Sequence, residues 1–512
     1  INFEFPPYGD DAVSSHGTGF PDVTRAAIDI ADATLFGAGS KNSTEIVRYL
    51  RWGKGTFANV RPARWVPGCN SPLINPENID AKNNLGTVYQ MANQLEKAEN
   101  CFKECIKLTP NFISSLINLG NLKIKTNNFK EAILIYNKIL KMNENIEIVY
   151  LHLGQAYQNI KQFKKAEIIF KKALEKFPLL TKADKLLSMQ TNYLTDEKHL
   201  NLMLIKINKK EININHKIDL SFSIAKAYED KKNYSQSFNY YSKGNTLKRS
   251  TLNFNIKDQI KLFESIKSYF SNFQFTKKSY ASKKRVIFIF GLPRSGTTLV
   301  ENIISSHNQV SSVGEINFLN KFFRLNFYEK NQINLKKVND LLNLNLQEEY
   351  FNYLKSFNLT NNIITDKSLN IYFNLGFIKH FFPECKFIHC QRNTKDNCLS
   401  IYKNLFNDNV GWKYSEKDIV DYYYLYKDIM NFWNKNLKKD ILNIKYENLI
   451  SDKNILIKSI IKYCDLDWDE NCLHHQKNDA PIKTLSFNQA NKPIYSSSIN
   501  SSKKFANYLK NM

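Results

Sequence analysis

At 512 residues the chain is long enough for two or three domains, each with a core of its own. A hydrophobic fraction of 43% is ordinary for a globular protein, and no stretch approaches the roughly 20 consecutive apolar residues of a membrane span. The formal charge of +24 is spread as single Lys residues among Asn and Ile, with no Arg-rich block. This speaks against a nucleic-acid partner and for a field that favours anionic ligands.

Eight cysteines lie apart, at 69, 101, 105, 385, 390, 398, 464 and 472, with no Cys-x-x-Cys pair. A chain of this size does not need disulfides to fold, so the expectation is a reduced, cytoplasmic protein with no signal segment.

Residues 1–74 form an unassigned N-terminal segment. They hold seven basic and seven acidic residues, so the net charge lies entirely downstream. Gly, Ala and Pro are frequent, and no motif carries a mechanism. A small domain, a loose extension and a foreign fragment all stay open.

A repeat begins near Pro76. Gly86, Gly120 and Gly154 are spaced by 34, as are Ala98, Ala132 and Ala166, and Phe102, Tyr136 and Phe170. Pro110 and Pro178 close the first and third units, whereas the second has Glu144 there. A period of 34 with small residues where two antiparallel helices cross is the tetratricopeptide signature. A degenerate unit follows at Ala225, Tyr228, Ser237 and Tyr241, and a weaker one near Ser188. The expectation is a helical solenoid over residues 75–276 whose concave surface takes a protein partner.

After a basic linker at 277–284 the pattern changes. The runs 285–290, 362–365, 386–390 and 441–444 read as buried strands, separated by helical stretches at 297–306, 370–382 and 418–436. Strands alternating with helices predict an α/β, doubly wound parallel sheet over 283–512, so the whole chain reads as α/β plus all-α.

The most informative residues are Gly291-Leu292-Pro293-Arg294-Ser295-Gly296-Thr297-Thr298, between the first strand and its helix. Gly291 and Gly296 let backbone N–H groups face an anion, and the helix N-terminus adds partial positive charge. This is a P-loop-like phosphate cradle. A nucleoside-triphosphatase loop carries Lys where this one carries Thr297, so the charge clamp for magnesium-bound triphosphate is missing. Arg294 instead offers a planar guanidinium suited to a phosphate or sulfonate without a metal.

This loop resembles the 5′-phosphosulfate loop of sulfotransferases, in particular tyrosylprotein sulfotransferases and bacterial tetratricopeptide sulfotransferases. The likeness runs from about residue 76 to the C-terminus, including the joining segment Gly244-Asn245-Thr246-Leu247-Lys248-Arg249. It implies a 3′-phosphoadenosine 5′-phosphosulfate (PAPS) co-substrate bound by Gly291, Pro293, Arg294, Ser295, Gly296, Thr297 and Thr298. It assigns Glu315 of Val313-Gly314-Glu315 as general base, with Glu301 the weaker candidate. Lys367 of Asp366-Lys367-Ser368-Leu369-Asn370 would join Arg294 in stabilising the leaving oxygen, although Leu369 stands where the family favours Pro. Arg392 and Ser400, eight apart, match the 3′-phosphate pair, with Ser400 on a helix at 394–404. The stretches Thr484–Ser486 and Lys492–Ser498 resemble a donor-covering loop in which Ser498 and Lys504 are the candidates. The family's Trp and Arg are absent from the corresponding Asn500–Phe505.

The implied reaction is in-line sulfuryl transfer to a hydroxyl, with no covalent enzyme intermediate and no metal. The likeness favours a protein tyrosine as acceptor, with a glycan also open. The alternative is a tetratricopeptide scaffold for protein–protein interaction whose nucleotide domain is catalytically weak. Three further signals are set aside: Asp465-x-Asp467-x-Asp469 as a helix boundary, His474-His475 as no metal site, and Tyr422, Tyr423, Tyr424 and Tyr426 as core and rim.

Overall fold

A computed structural model describes residues 79–195, 197–274, 284–357, 359–478 and 498–509. The segment 1–74, the linker at 277–283 and the stretches Thr484–Ser486 and Lys492–Ser497 lie outside the described residues. The chain divides into two units, Ile1–Leu122 and Lys123–Met512.

In the first unit, helix Ile79–Met91 packs on helix Leu95–Leu108. A Cβ on Gly86 would come within 2.5 Å of the Phe102 ring, so only a hydrogen there admits the aromatic. Ser115 and Asn118 both donate to Asn83 Oδ1, at 2.8 and 2.9 Å.

The second unit repeats this crossing. Gly154 on Glu147–Asn159 faces Phe170 on Phe163–Lys176, with 2.2 Å between an added Cβ and the ring. The turns joining paired helices reach positive φ at Asn93, Asn127 and Lys161, again 34 apart, and at Lys232 in the degenerate unit. That unit is the pair Ile214–Asp230 and Tyr234–Ser250, which carry the expected Ala225, Tyr228, Ser237 and Tyr241. Near Ser188 the helices are shorter, Thr181–Ser188 and Lys198–Lys206.

The sheet is five-stranded and parallel throughout: β1 (Arg285–Phe290), β2 (Val310–Gly314), β3 (Ile363–Asp366), β4 (Lys386–Gln391) and β5 (Ile441–Lys445), in the order β2-β3-β1-β4-β5. The edge strand β2 was not expected; in its Val-Ser-Ser-Val-Gly sequence only the two Val residues are buried. The helix expected over 370–382 is instead a 3-10 turn, Leu369–Phe373, followed by helix Leu375–Phe381.

Alternation along the strands gives the sheet two different faces. Ile287, Ile289, Ile388 and Cys390 pack with Val300, Ile303, Ile304, Ile457 and Ile460 in an aliphatic layer. Phe288 and Phe290 stack on Phe387 and His389 on the other side. Helix Ile256–Ser271, which follows the repeats, closes that aromatic layer through Phe270 against Phe377 and Trp433. The repeat helix Tyr234–Ser250 is tied down as well: Asn245 donates to the Tyr402 carbonyl at 2.8 Å and Arg249 pairs with Asp418 at 2.8 Å. Residues 244–249, expected as a joining segment, are the end of that helix.

Chain order reverses between β1 and β4, which lie side by side at the centre of the sheet. In a doubly wound sheet the crevice beyond the carboxyl ends of such strands is where ligands bind. The loops there begin at Gly291 and at Arg392.

Candidate functional site

The loop after β1 is built from left-handed residues. Gly291, Arg294 and Gly296 have φ of 157°, 68° and 101°. A Cβ on Gly291 would sit 2.4 Å from the Cys390 carbonyl and 2.6 Å from Ser295 Oγ, so the loop can cross β4 only with glycine there. At Gly296 an added Cβ would meet the Tyr446 ring at 2.7 Å, besides the positive φ. Asn397 holds the loop from outside, donating to the Pro293 carbonyl at 2.9 Å. Helix Thr297–Ser305 starts at once, presenting the N–H groups of its first turn to the crevice.

The structure brings Arg294, Arg392 and Ser400 together. Arg294 Nε lies 3.2 Å from Ser400 Oγ, and Arg392 reaches the Arg294 carbonyl at 3.2 Å. Ser400 sits on helix Thr394–Tyr402, near the span expected for it. Arg392 also donates to the Ser498 carbonyl at 2.6 Å and stacks over Tyr446, whose hydroxyl is 2.8 Å from Ser498 Oγ. Lys504 is placed differently: it is exposed on the turn Ser501–Phe505, while the neighbouring Phe505 is buried.

A second cluster lies where β2 and β3 end. The Lys367 N–H donates to the Gly314 carbonyl at 3.0 Å, which sets Lys367 beside the residue following Gly314. Its ammonium, fully buried, is 2.8 Å from Glu315 Oε1, 3.4 Å from Thr298 Oγ1 and 3.7 Å from Glu301 Oε2. Glu315 is the exposed member, with 40% of its side chain open to solvent. Glu301 is buried and takes a 2.8 Å bond from Ser312. Burial raises its pKa against the opposing pull of Lys367. One buried cation therefore joins an accessible carboxylate, a buried one and the first turn of the loop helix.

Ser295 Oγ and Arg392 Nε are buried and lack a hydrogen-bond partner among the described residues. Buried polar atoms are costly unless paired, so two of them converging on a loop of anion-cradle form fit a bound polyanion.

Three residues of this site were not singled out from the sequence: Asn397, Asp396 and Tyr446. Asn397 and Asp396 fall within Arg392-Asn-Thr-Lys-Asp-Asn397, where helix start and strand end coincide, and a polar cluster at that junction is the one signal they left. Tyr446 follows β5 without any motif. Asp366 is buried and accepts from Tyr350 at 2.9 Å and Ser368 at 2.6 Å. Desolvation raises its pKa from 3.8 to about 7.

A carboxyl with a raised folded pKa stabilises fully below its unfolded value and loses that contribution as pH rises through the folded one. Between about pH 4 and 7 the wild type is therefore expected to lose ground to Asp366→Asn. Urea midpoints of both proteins at about pH 5 and about pH 8 test this. A gap that stays constant across that range contradicts the assignment.

The signals set aside also have places. Asp469 caps the turn Glu470–Lys477, accepting from the Asn471 N–H. Tyr422 and Tyr426 are core, with their hydroxyls on Tyr372 and His389, and Tyr424 is exposed. Seven cysteines among the described residues are free thiols, and no helix there is long and apolar enough to cross a membrane.

Comparison with known proteins agrees with this fold. Residues 286–470 match the model of the sulfotransferase family, and residues 79–112, 113–146 and 148–175 match tetratricopeptide-repeat models. An uncharacterized protein of Aquifex aeolicus is 25% identical over 332 residues, which is 62% of this chain and 44% of that one. A protein-tyrosine sulfotransferase of Drosophila melanogaster is 22% identical over 241 residues, 42% of this chain and 46% of that enzyme. Over 70 residues, 13% of this chain, there is 43% identity to 22% of a 3-isopropylmalate dehydrogenase of Archaeoglobus fulgidus. The chain thus spans less than half the length of each of these relatives. It carries tetratricopeptide repeats followed by a sulfotransferase-family domain with a parallel sheet.

Proposed function

We propose that this chain transfers a sulfuryl group from PAPS to a hydroxyl, with a protein tyrosine as acceptor. The observation that carries the reading is that Arg294, Arg392 and Ser400 meet at the loop whose helix opens with Thr297 and Thr298, while Lys367 reaches both Thr298 and Glu315. A donor lying across that loop would have its nucleotide end among the arginines and its sulfuryl end at the Lys367–Glu315 pair.

PAPS supplies an activated sulfuryl group with a phosphate as its leaving group. Arg294, Ser295, Gly296, Thr297 and Thr298 would hold the 5′-phosphate, and Arg392, Ser400 and Ser498 the 3′-phosphate. Lys367 would turn toward the bridging oxygen as negative charge grows there, leaving Glu315 to accept the acceptor's proton. Lys504, exposed beside this site, would act on the donor only through long-range attraction.

A protein acceptor suits the repeats, whose stacked helices offer a concave surface to a partner, and the Drosophila relative is named for tyrosine sulfation. We place the activity in the cytoplasm on the dispersed cysteines. Peptide and glycan libraries incubated with PAPS and read by mass spectrometry test the whole reading. A gain of one sulfuryl group on tyrosine peptides is expected, and its absence from every hydroxyl acceptor would leave the scaffold alternative.

A further inference from the structure

The described C-terminal segment, residues 498–509, touches two parts of the chain that are far apart in sequence. On one side lies Asp396, in the first turn of the helix that carries Ser400. Its carboxylate is only 1% exposed, and it accepts the N–H of Asn500 at 2.6 Å and of Ser502 at 2.8 Å, with Ser501 Oγ at 3.4 Å. Asn500 adopts a left-handed φ of 57°, which turns these amides toward one point. A buried carboxylate satisfied by backbone N–H groups is a strong, geometrically specific anchor.

On the other side lies the repeat helix Tyr234–Ser250. Phe505 is fully buried, edge-on to Tyr234 at 5.2 Å and beside Phe238 at 6.4 Å. Phe238 stacks in turn on Tyr402 and Tyr508. The Lys403 ammonium sits 5.2 Å over the Phe505 ring and pairs with Glu229 of the preceding repeat helix.

Just ahead of both pins the segment delivers Ser498, whose carbonyl takes the Arg392 guanidinium and whose hydroxyl meets Tyr446. We propose that residues 498–509 are a strap, pinned at Asp396 and at Phe505, which sets the position of Arg392 for the donor and makes donor affinity depend on the seating of the last repeat helix. Asp396 and Phe505 are then positioning residues, acting through Ser498 and Arg392. The inference rests on the donor site proposed above.

The test is calorimetric titration of the full chain with adenosine 3′,5′-bisphosphate, well below the melting temperature of each protein. Asp396→Asn and Phe505→Ala are each expected to weaken binding about tenfold or more. Phe505→Leu, which keeps an apolar pin, should recover most of the affinity. Variants that bind like wild type, even with lowered melting temperatures, overturn the strap while Arg294→Ala, losing affinity, leaves the donor site standing. Failure of the wild-type chain itself to bind overturns both.

Discussion

Glu315→Gln is expected to lower the rate of sulfuryl transfer by about 10²- to 10⁴-fold, the range typical of a positioned general base, while donor binding changes little. The carboxylate sits at the open edge of the site, the one member of the Lys367 cluster that an incoming hydroxyl can reach. Gln keeps the shape and can still accept a bond from Lys367, but it cannot hold the acceptor's proton. Single-turnover kinetics separate that loss from any effect on binding. A variant with at least a tenth of the wild-type rate would shift the role of base to another group, with Glu301, the other carboxylate paired with Lys367, next in line.

Lys367→Ala is expected to lose about 10²- to 10³-fold in rate and to be less stable by about 3–5 kcal/mol. The second effect follows from burial. Removing this ammonium leaves Glu301, itself buried, without the cation that opposes its desolvation. The two effects separate in the double variant Lys367→Ala with Glu301→Gln. It should regain most of the stability, measured by denaturant unfolding, and none of the rate. Recovery of both would mean that Lys367 serves structure alone.

How much of this was legible beforehand follows from the kind of residue involved. The repeat announced itself because a crossing of two helices demands a small residue at one fixed position, and Gly86 and Gly154 leave no room for a Cβ. The loop was legible for the same reason: Gly291 and Gly296 stand where the backbone has positive φ and close neighbours. Four strands, the edge strand β5 among them, were found from their apolar content, whereas β2 was missed because two of its five residues are Ser and only Val310 and Val313 are buried. Leu369 marks the start of the broken helix, where the chain leaves β3 through a tight 3-10 turn before Asn374 begins the regular helix.

The arrangement of the site was harder to foresee than its membership. That Lys367 joins Glu315 to Glu301 depends on β2 and β3 ending side by side, a fact of sheet order that no local pattern contains. Asp396 and Tyr446 work through contacts with residues more than 50 positions away, so their roles emerge only from the fold.

The most direct measurement is titration of the wild-type chain and Arg392→Ala with adenosine 3′,5′-bisphosphate, set beside ATP with magnesium. The bisphosphate is expected to bind in preference to magnesium–ATP, and losing Arg392 should weaken it about 10- to 100-fold, as for a charge-assisted contact. Equal affinity in the two proteins, or a preference for magnesium–ATP, would contradict the proposed donor site.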